Sequence, residues 1–379
     1  MHTEYDFDSS CLADTLMEMI RRRSDFPNAT EEACCRYVSD ILAKEGIHSR
    51  MVEAANGRPN IYATLNGTED GPTLLFNGHL DVVPADDASW TYSPFEPVIE
   101  DGRIFGRGAA DMKAGVASCI HAALFLKRSG TPFKGRIVLF FNVDEEGTNL
   151  GMKQFLSEQI EADFAIVAEP TENAIHLGHR GNARYLIRTR GTPEHIAWAT
   201  EPDNAIEKMA DLVAALRAYR QSLLEKRHDF LGTANAGVTL INGGEAGNIV
   251  PACCQITVDR RLLLDETPKD IEREIRTYVQ EREIECEVEN ISGVDASLIP
   301  GDHPMVQRLR EAIAATGGTP RTGRFPATCE APYFTRKKGI PAAIFGPGSI
   351  AQAHVNDEFV HLDEVVAHCQ ALIRFVTDQ

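Results

Sequence analysis

The chain has 379 residues, 43% apolar and 25% charged, the balance of an ordinary globular protein. A single core rarely grows past about 250–300 residues, so this length implies two domains. A formal net charge of −18 argues against nucleic acid and anionic membrane surfaces as main partners, since both repel an acidic protein, and leaves metal cations open.

The N-terminus, MHTEYDFDSS, is polar and acidic, so it does not read as a signal peptide. No apolar stretch approaches the ~18 residues that span a bilayer. Nine cysteines, with adjacent pairs at Cys34-Cys35 and Cys253-Cys254 and no C-x-x-C, read as reduced thiols. A soluble cytoplasmic protein is expected.

Apolar spacing predicts helices over 12–24 and 31–45. A strand is expected at 73–76, a helix at 112–127 closed by Gly130, and strands at 136–143, 164–168 and 342–345. The run RIVLFFNV is apolar on both faces, as inside a covered sheet. This alternation predicts an α/β fold with a mixed, mostly parallel sheet flanked by helices. Between 180 and 292 the texture changes to strand-helix-strand-strand-helix-strand, the split βαβ order of a small α+β, ferredoxin-like domain. The expected division is a catalytic domain of 1–179 plus 293–379, with an inserted domain of 180–292.

Ligands of open α/β sheets bind beyond the carboxyl ends of the strands. Acids and histidines follow the buried strands here. His79 and Asp81 follow the first, and lie two apart, so on an extended chain they face the same side. Asp144, Glu145 and Glu146 follow the second, Glu169 the third, and His354 comes after the GPG turn of the fourth. Asp111 sits where a Gly-rich loop enters a helix. Alone, Asp111 would be an N-cap, the Glu pair a solvated one, His79 a structural or surface histidine and His354 a loop histidine. Together, carboxylates this crowded would repel unless a cation joined them. Two histidines and three carboxylates can hold two Zn²⁺-like ions if one carboxylate bridges.

The segments GHLDVVP, GRGAADMKAG, DEEG, AEP and QAH resemble, in order and approximate spacing, the co-catalytic di-zinc peptidases and deacylases. That family includes acetylornithine deacetylase, succinyl-diaminopimelate desuccinylase, aminoacylase and carboxypeptidase G. The resemblance spans nearly the whole chain. It implies a first metal held by His79, Asp111 and Glu169, and a second held by Asp111, Glu146 and His354. It implies that Asp81 hydrogen-bonds His79, fixing the imidazole's tautomer. It makes Glu145 the general base, which takes a proton from a metal-activated water and passes it to the leaving amine. Zinc is expected, with cobalt or manganese suiting the same donors.

By the same resemblance the inserted domain is a lid and homodimerisation domain. His195 then stabilises the oxyanion, although Pro193-Glu194 and Ile196 replace the usual small neighbours. Asn248 and Arg261 match positions that hold a substrate carboxylate, and Arg260 is the alternative to Arg261. The C-terminal run TCEAPYF…GPGSIAQAH is similar to the acetylornithine deacetylase branch, with Cys329 interrupting its TEAP pattern. Glu330 there either pairs with a substrate ammonium or lines the loop. The expected substrate is therefore an N-acyl amino acid, nearest to an N-acetylated basic one. Desuccinylation, with Arg180 or Arg324 as the extra cation, and dipeptidase or carboxypeptidase activity are the alternatives.

Overall fold

A computed structural model describes residues 8–378. The chain divides into two compact units, one made of the residues up to Gly178 and from Leu298 onward, the other of His179–Ser297.

The first unit is built on a mixed sheet of eight strands: β1 (Ser49–Ala55), β2 (Arg58–Asn66), β3 (Glu69–His79), β4 (Lys134–Asn142), β5 (Phe164–Val167), β6 (Ile175–His176), β7 (Thr322–Gly323) and β8 (Ala342–Ile344). Their spatial order is β1-β2-β4-β3-β5-β8-β6-β7. The central four, β4, β3, β5 and β8, are parallel neighbours. Their carboxyl ends therefore share one edge of the sheet. The β1–β2 hairpin, which the sequence reading omitted, turns at Asn56-Gly57, both with positive φ (50° and 75°). Asn-Gly is the standard signal for such a turn.

Both faces of the sheet are covered, because residues alternate sides along a strand. Ile137, Leu139 and Phe141 of β4 pack with helices α1 (Ser9–Arg21), α2 (Glu32–Lys44), α3 (Ala114–Ser129), α4 (Pro304–Ala315) and α5 (Leu362–Thr377). Val138 and Phe140 join a second cluster with Phe155, Phe325 and Phe334. The stretch Ala109–Ser129 is long and apolar enough to cross a membrane by composition, contrary to the sequence expectation, but its most apolar 18-residue window is 94% buried inside the protein. It is the core helix against which the sheet packs.

The second unit has a four-stranded antiparallel sheet. Its strands are Gly181–Arg190, Asn235–Gly243, Cys253–Leu262 and Glu287–Val294, with the first and third adjacent in the middle. Helices Ala205–Ser222 and Pro268–Gln280 connect them. In the Gly181–Arg190 strand every second residue is buried and the residues between are partly or fully exposed, which is why its period could be read from sequence.

Close approach draws the future site segments together. A Cβ on Gly115, in α3, would sit 2.0 Å from the carbonyl oxygen of Ala168, the residue before Glu169. Gly115→Ala should therefore push α3 from β5 and cost about 1–3 kcal/mol, the range for overpacking a full core. A denaturant melt checks this; an unchanged midpoint would show that the contact is not tight.

Candidate metal centre

His79 ends β3. Its Nδ1 donates to the backbone carbonyl of Asp81 at 2.9 Å, which turns Nε2 toward Asp111. Asp81 was the expected partner, but through its carboxylate. That carboxylate lies farther off, at 3.7 Å, and its Oδ2 instead accepts the backbone N–H of Glu146 at 2.9 Å. Asp81 thus ties two strand ends together. Its Oδ1 is buried with no hydrogen-bond partner among the described residues.

Asp111 is not an N-cap. It is extended (φ −114°, ψ 96°) within the kinked segment before α3, and no side chain caps that helix. Its Oδ1 lies 3.1 Å from Nε2 of His79, and its Oδ2 lies 3.6 Å from Nε2 of His354. One carboxylate therefore faces two imidazoles with different oxygens. His354 also meets Glu146 Oε1 at 2.9 Å, and Glu169 Oε1 lies 3.9 Å from His79.

Glu358 holds the Asp111 segment and escaped the sequence reading. It is fully buried and accepts from the backbone N–H of Gly108, Ala110 and Asp111 at 2.8–3.0 Å and from Arg107 at 2.8 Å. Its only signal was an acid four residues after His354, in a stretch that reads as a solvated loop.

Three groups of donors gather here, each with one ligand atom per residue within 4.8 Å of the others: His79, Asp111 and Glu169; Asp111, Glu146 and His354; and Glu145, Glu169 and Glu330. The first two share Asp111. Mixed imidazole and carboxylate donors fit zinc, cobalt or manganese. Glu330 is fully buried; Oε1 accepts from Asn142 at 3.0 Å and Oε2 has no partner among the described residues. It thus stands among the acids rather than on a loop surface.

Crowding shows in the acidities. Burial, then the charge of Asp111, holds the Glu169 carboxyl well above the ordinary range. Burial, then Glu330, does the same to Glu145. Asp81 is pushed up to about 7, chiefly by burial. Burial opposes a charged His79, but its bond to Asp111 and the charges of Asp81, Asp111 and Glu169 prevail and raise it.

In the second unit, His195 and Asn248 come together. Asn248 Nδ2 lies 3.3 Å from His195 Nε2, and His195 Nδ1 accepts from the Ala197 N–H at 3.1 Å. Both residues are exposed. Arg261 is partly exposed and pairs with Asp259 at 2.9 Å. Arg260 is fully buried against Glu266 at 2.6 Å, which removes it as an alternative carboxylate binder. Arg180 donates to the Thr233 carbonyl at 2.7 Å.

Donors of this chemistry on a parallel-sheet edge fit a metal-dependent hydrolase. The chain belongs to peptidase family M20/M25/M40, whose sequence profile matches residues 75–378. An acetylornithine deacetylase of Vibrio parahaemolyticus is 30% identical over 328 residues, 84% of each chain. A probable succinyl-diaminopimelate desuccinylase of Staphylococcus epidermidis is 27% identical over 380 residues, covering 90% of this chain and 91% of that one. Among solved structures, an M20 family metallo-carboxypeptidase from Sulfolobus solfataricus superposes with a TM-score of 0.83 at 19% identity, covering 97% and 98% of the chains. A dinuclear metal binding M20 peptidase of Bacillus subtilis gives 0.71 at 16% identity over 98% of each.

Carboxyls held above their ordinary range keep their protons to higher pH, so in chelator-stripped protein a cation competes with those protons. Raising the pH removes those protons without the metal's help. Metal affinity should therefore climb as the pH rises above the ordinary carboxylate range, with protons released on binding. Calorimetric titration in two buffers of different ionisation heat checks this. A pH-independent affinity without proton release would contradict it.

Proposed function

We propose that this hydrolase cleaves the amide bond of an N-acyl amino acid, nearest to an N-acetylated basic one such as N-acetylornithine. The observation that carries the reading is Asp111, whose two oxygens face His79 and His354 separately, as a carboxylate bridging two ions would. His79, Asp111 and Glu169 would hold one divalent ion, and Asp111, Glu146 and His354 the other, zinc being the first candidate. Such ions supply Lewis acidity, polarising the amide carbonyl and acidifying water.

The chain's own residues do the rest. Glu145 takes a proton from the attacking water and delivers it to the leaving nitrogen. Asp81 orients His79 through its carbonyl and holds Glu146 through its carboxylate. His195, carried beside Asn248, donates to the oxyanion of the tetrahedral intermediate. Asn248 and Arg261 take the substrate carboxylate, and the open oxygen of Glu330 accepts from an ammonium group.

We also propose a cytoplasmic homodimer formed through the inserted unit. Its edge strand, Asn235–Gly243, exposes Val238, Leu240 and Ile241, an apolar edge of the kind that proteins usually cover. Nine free thiols support a reducing compartment.

Amine release from N-acetyl, N-succinyl and N-formyl amino acids and dipeptides, with a chelated control, tests the substrate. Chelator-sensitive release from acetylornithine or a basic analogue is expected. Release from succinyl substrates alone would move the assignment to the desuccinylase relatives. On the substrate found, Glu145→Gln should retain both metals and lose about 10²–10⁴ in kcat, the contribution of a general base. Glu146→Ala should lose a metal. An active Glu145→Gln would overturn the base assignment.

A further inference from the structure

Adjacent glutamates must do different things in this reading. Glu145 joins Glu169 and Glu330, and Glu146 joins Asp111 and His354. Their backbone lies in a loop after β4, and the residue before them, Asp144, is left-handed (φ 62°) without being glycine. An asparagine or aspartate tolerates that conformation at a modest cost, so something has to hold it.

Arg58, at the start of β2, does so. Its Nη1 binds Asp144 Oδ1 at 2.5 Å. Its Nε and Nη2 bind both oxygens of Glu31 at 2.5–3.1 Å. Glu31 Oε1 also accepts the Asp144 N–H at 3.2 Å. The other Asp144 oxygen accepts from the Thr148 N–H and hydroxyl at 2.9 and 2.7 Å and from the Leu150 N–H at 3.3 Å, closing the loop on itself. All three charged side chains are at least nine-tenths buried, and the Phe26 ring covers the guanidinium at 4.4 Å. Asp81 in turn accepts the Glu146 N–H at 2.9 Å. The backbone is thus pinned at 144 and at 146, with only Glu145 between.

We infer that Arg58 is a positioning residue of the hydrolytic site: acting through Asp144, with Glu31 as its anchor, it sets the directions in which Glu145 and Glu146 leave the chain. This rests on the roles proposed for those two glutamates. A buried ion triad is a poor way to gain stability alone, since apolar replacements often do as well. Here the planar fork is used on two partners at once, a geometry that a lysine ammonium does not reproduce.

The test is Arg58→Lys in the full-length chain, with Asp144→Asn, the double variant, and Thr148→Val, which removes one bond of the loop closure. Thermal midpoint, zinc affinities of the stripped protein by calorimetry, and kcat and KM are measured for each. Arg58→Lys and Asp144→Asn should each weaken the second zinc and lower kcat by about 10–100-fold, the usual effect of losing a residue that orients a ligand. KM should stay within about twofold, and the double variant should be no worse than either single one, as for residues acting as one unit. Thr148→Val should shift the same quantities less, and it decides the matter if Arg58→Lys fails to fold. A lower midpoint with unchanged zinc affinities and kcat would make the triad structural and overturn the inference. Glu146→Ala is the control. If it keeps both zinc sites at full affinity, the ligand assignment itself fails, whatever the Arg58 variants do.

Discussion

Mutual repulsion among carboxylates is the constraint around which the first unit is arranged. Asp81, Asp111, Glu145, Glu146, Glu169 and Glu330 converge at the carboxyl edge of four parallel strands. Left to themselves they would move apart or take up protons; burial first, and neighbouring charge after it, already holds the carboxyls of Asp81, Glu145 and Glu169 above the ordinary range. They stay together because their backbones cannot relax. Gly115 lets α3 lie against Ala168, Glu358 gathers the amides before Asp111, and Asp81 holds the loop of Glu146. The resulting field is one that a divalent cation relieves, which makes cation binding a property of the scaffold as much as of the ligands.

Most of the candidate donors were legible because they follow a buried strand, Asp111 being the exception at a Gly-rich loop. An acid or imidazole after an apolar run has few structural reasons to be there, and several such exits on one parallel sheet reach one edge. The residues that hold the donors were not legible. Glu31, Arg58 and Glu358 look like surface charges in sequence, since their partners lie far along the chain and burial has no local signature. Asp81 shows the limit in another way. The spacing identified the residue that orients His79, but the atom that does it is a carbonyl, and spacing speaks only of side-chain direction.

Secondary structure followed the same rule. The two central strands of the second unit announce themselves by alternation, and RIVLFFNV by its length of apolar residues. The β1–β2 hairpin carries its signal at Asn56-Gly57, where turn chemistry rather than hydrophobic period marks the structure. Arg260 and Arg261 could not be told apart in sequence, because neighbours on a strand face opposite sides and nothing local says which side is filled. The fold answers by burying Arg260 against Glu266.

The segment that carries His354 also carries Glu358, so one short stretch supplies a donor of the second group and the clamp on Asp111, which both groups share. All the other proposed ligands, and Asp81, precede residue 170. A chain leaving the ribosome therefore exposes most of its acids long before the stretch that organises them. Domains form in the order of synthesis. The inserted unit is fully made while the shared carboxylate of the first still lacks its backbone clamp. The backbone clamp on the shared carboxylate can close only after residue 358 has emerged, so the two donor groups come together as one site late in synthesis.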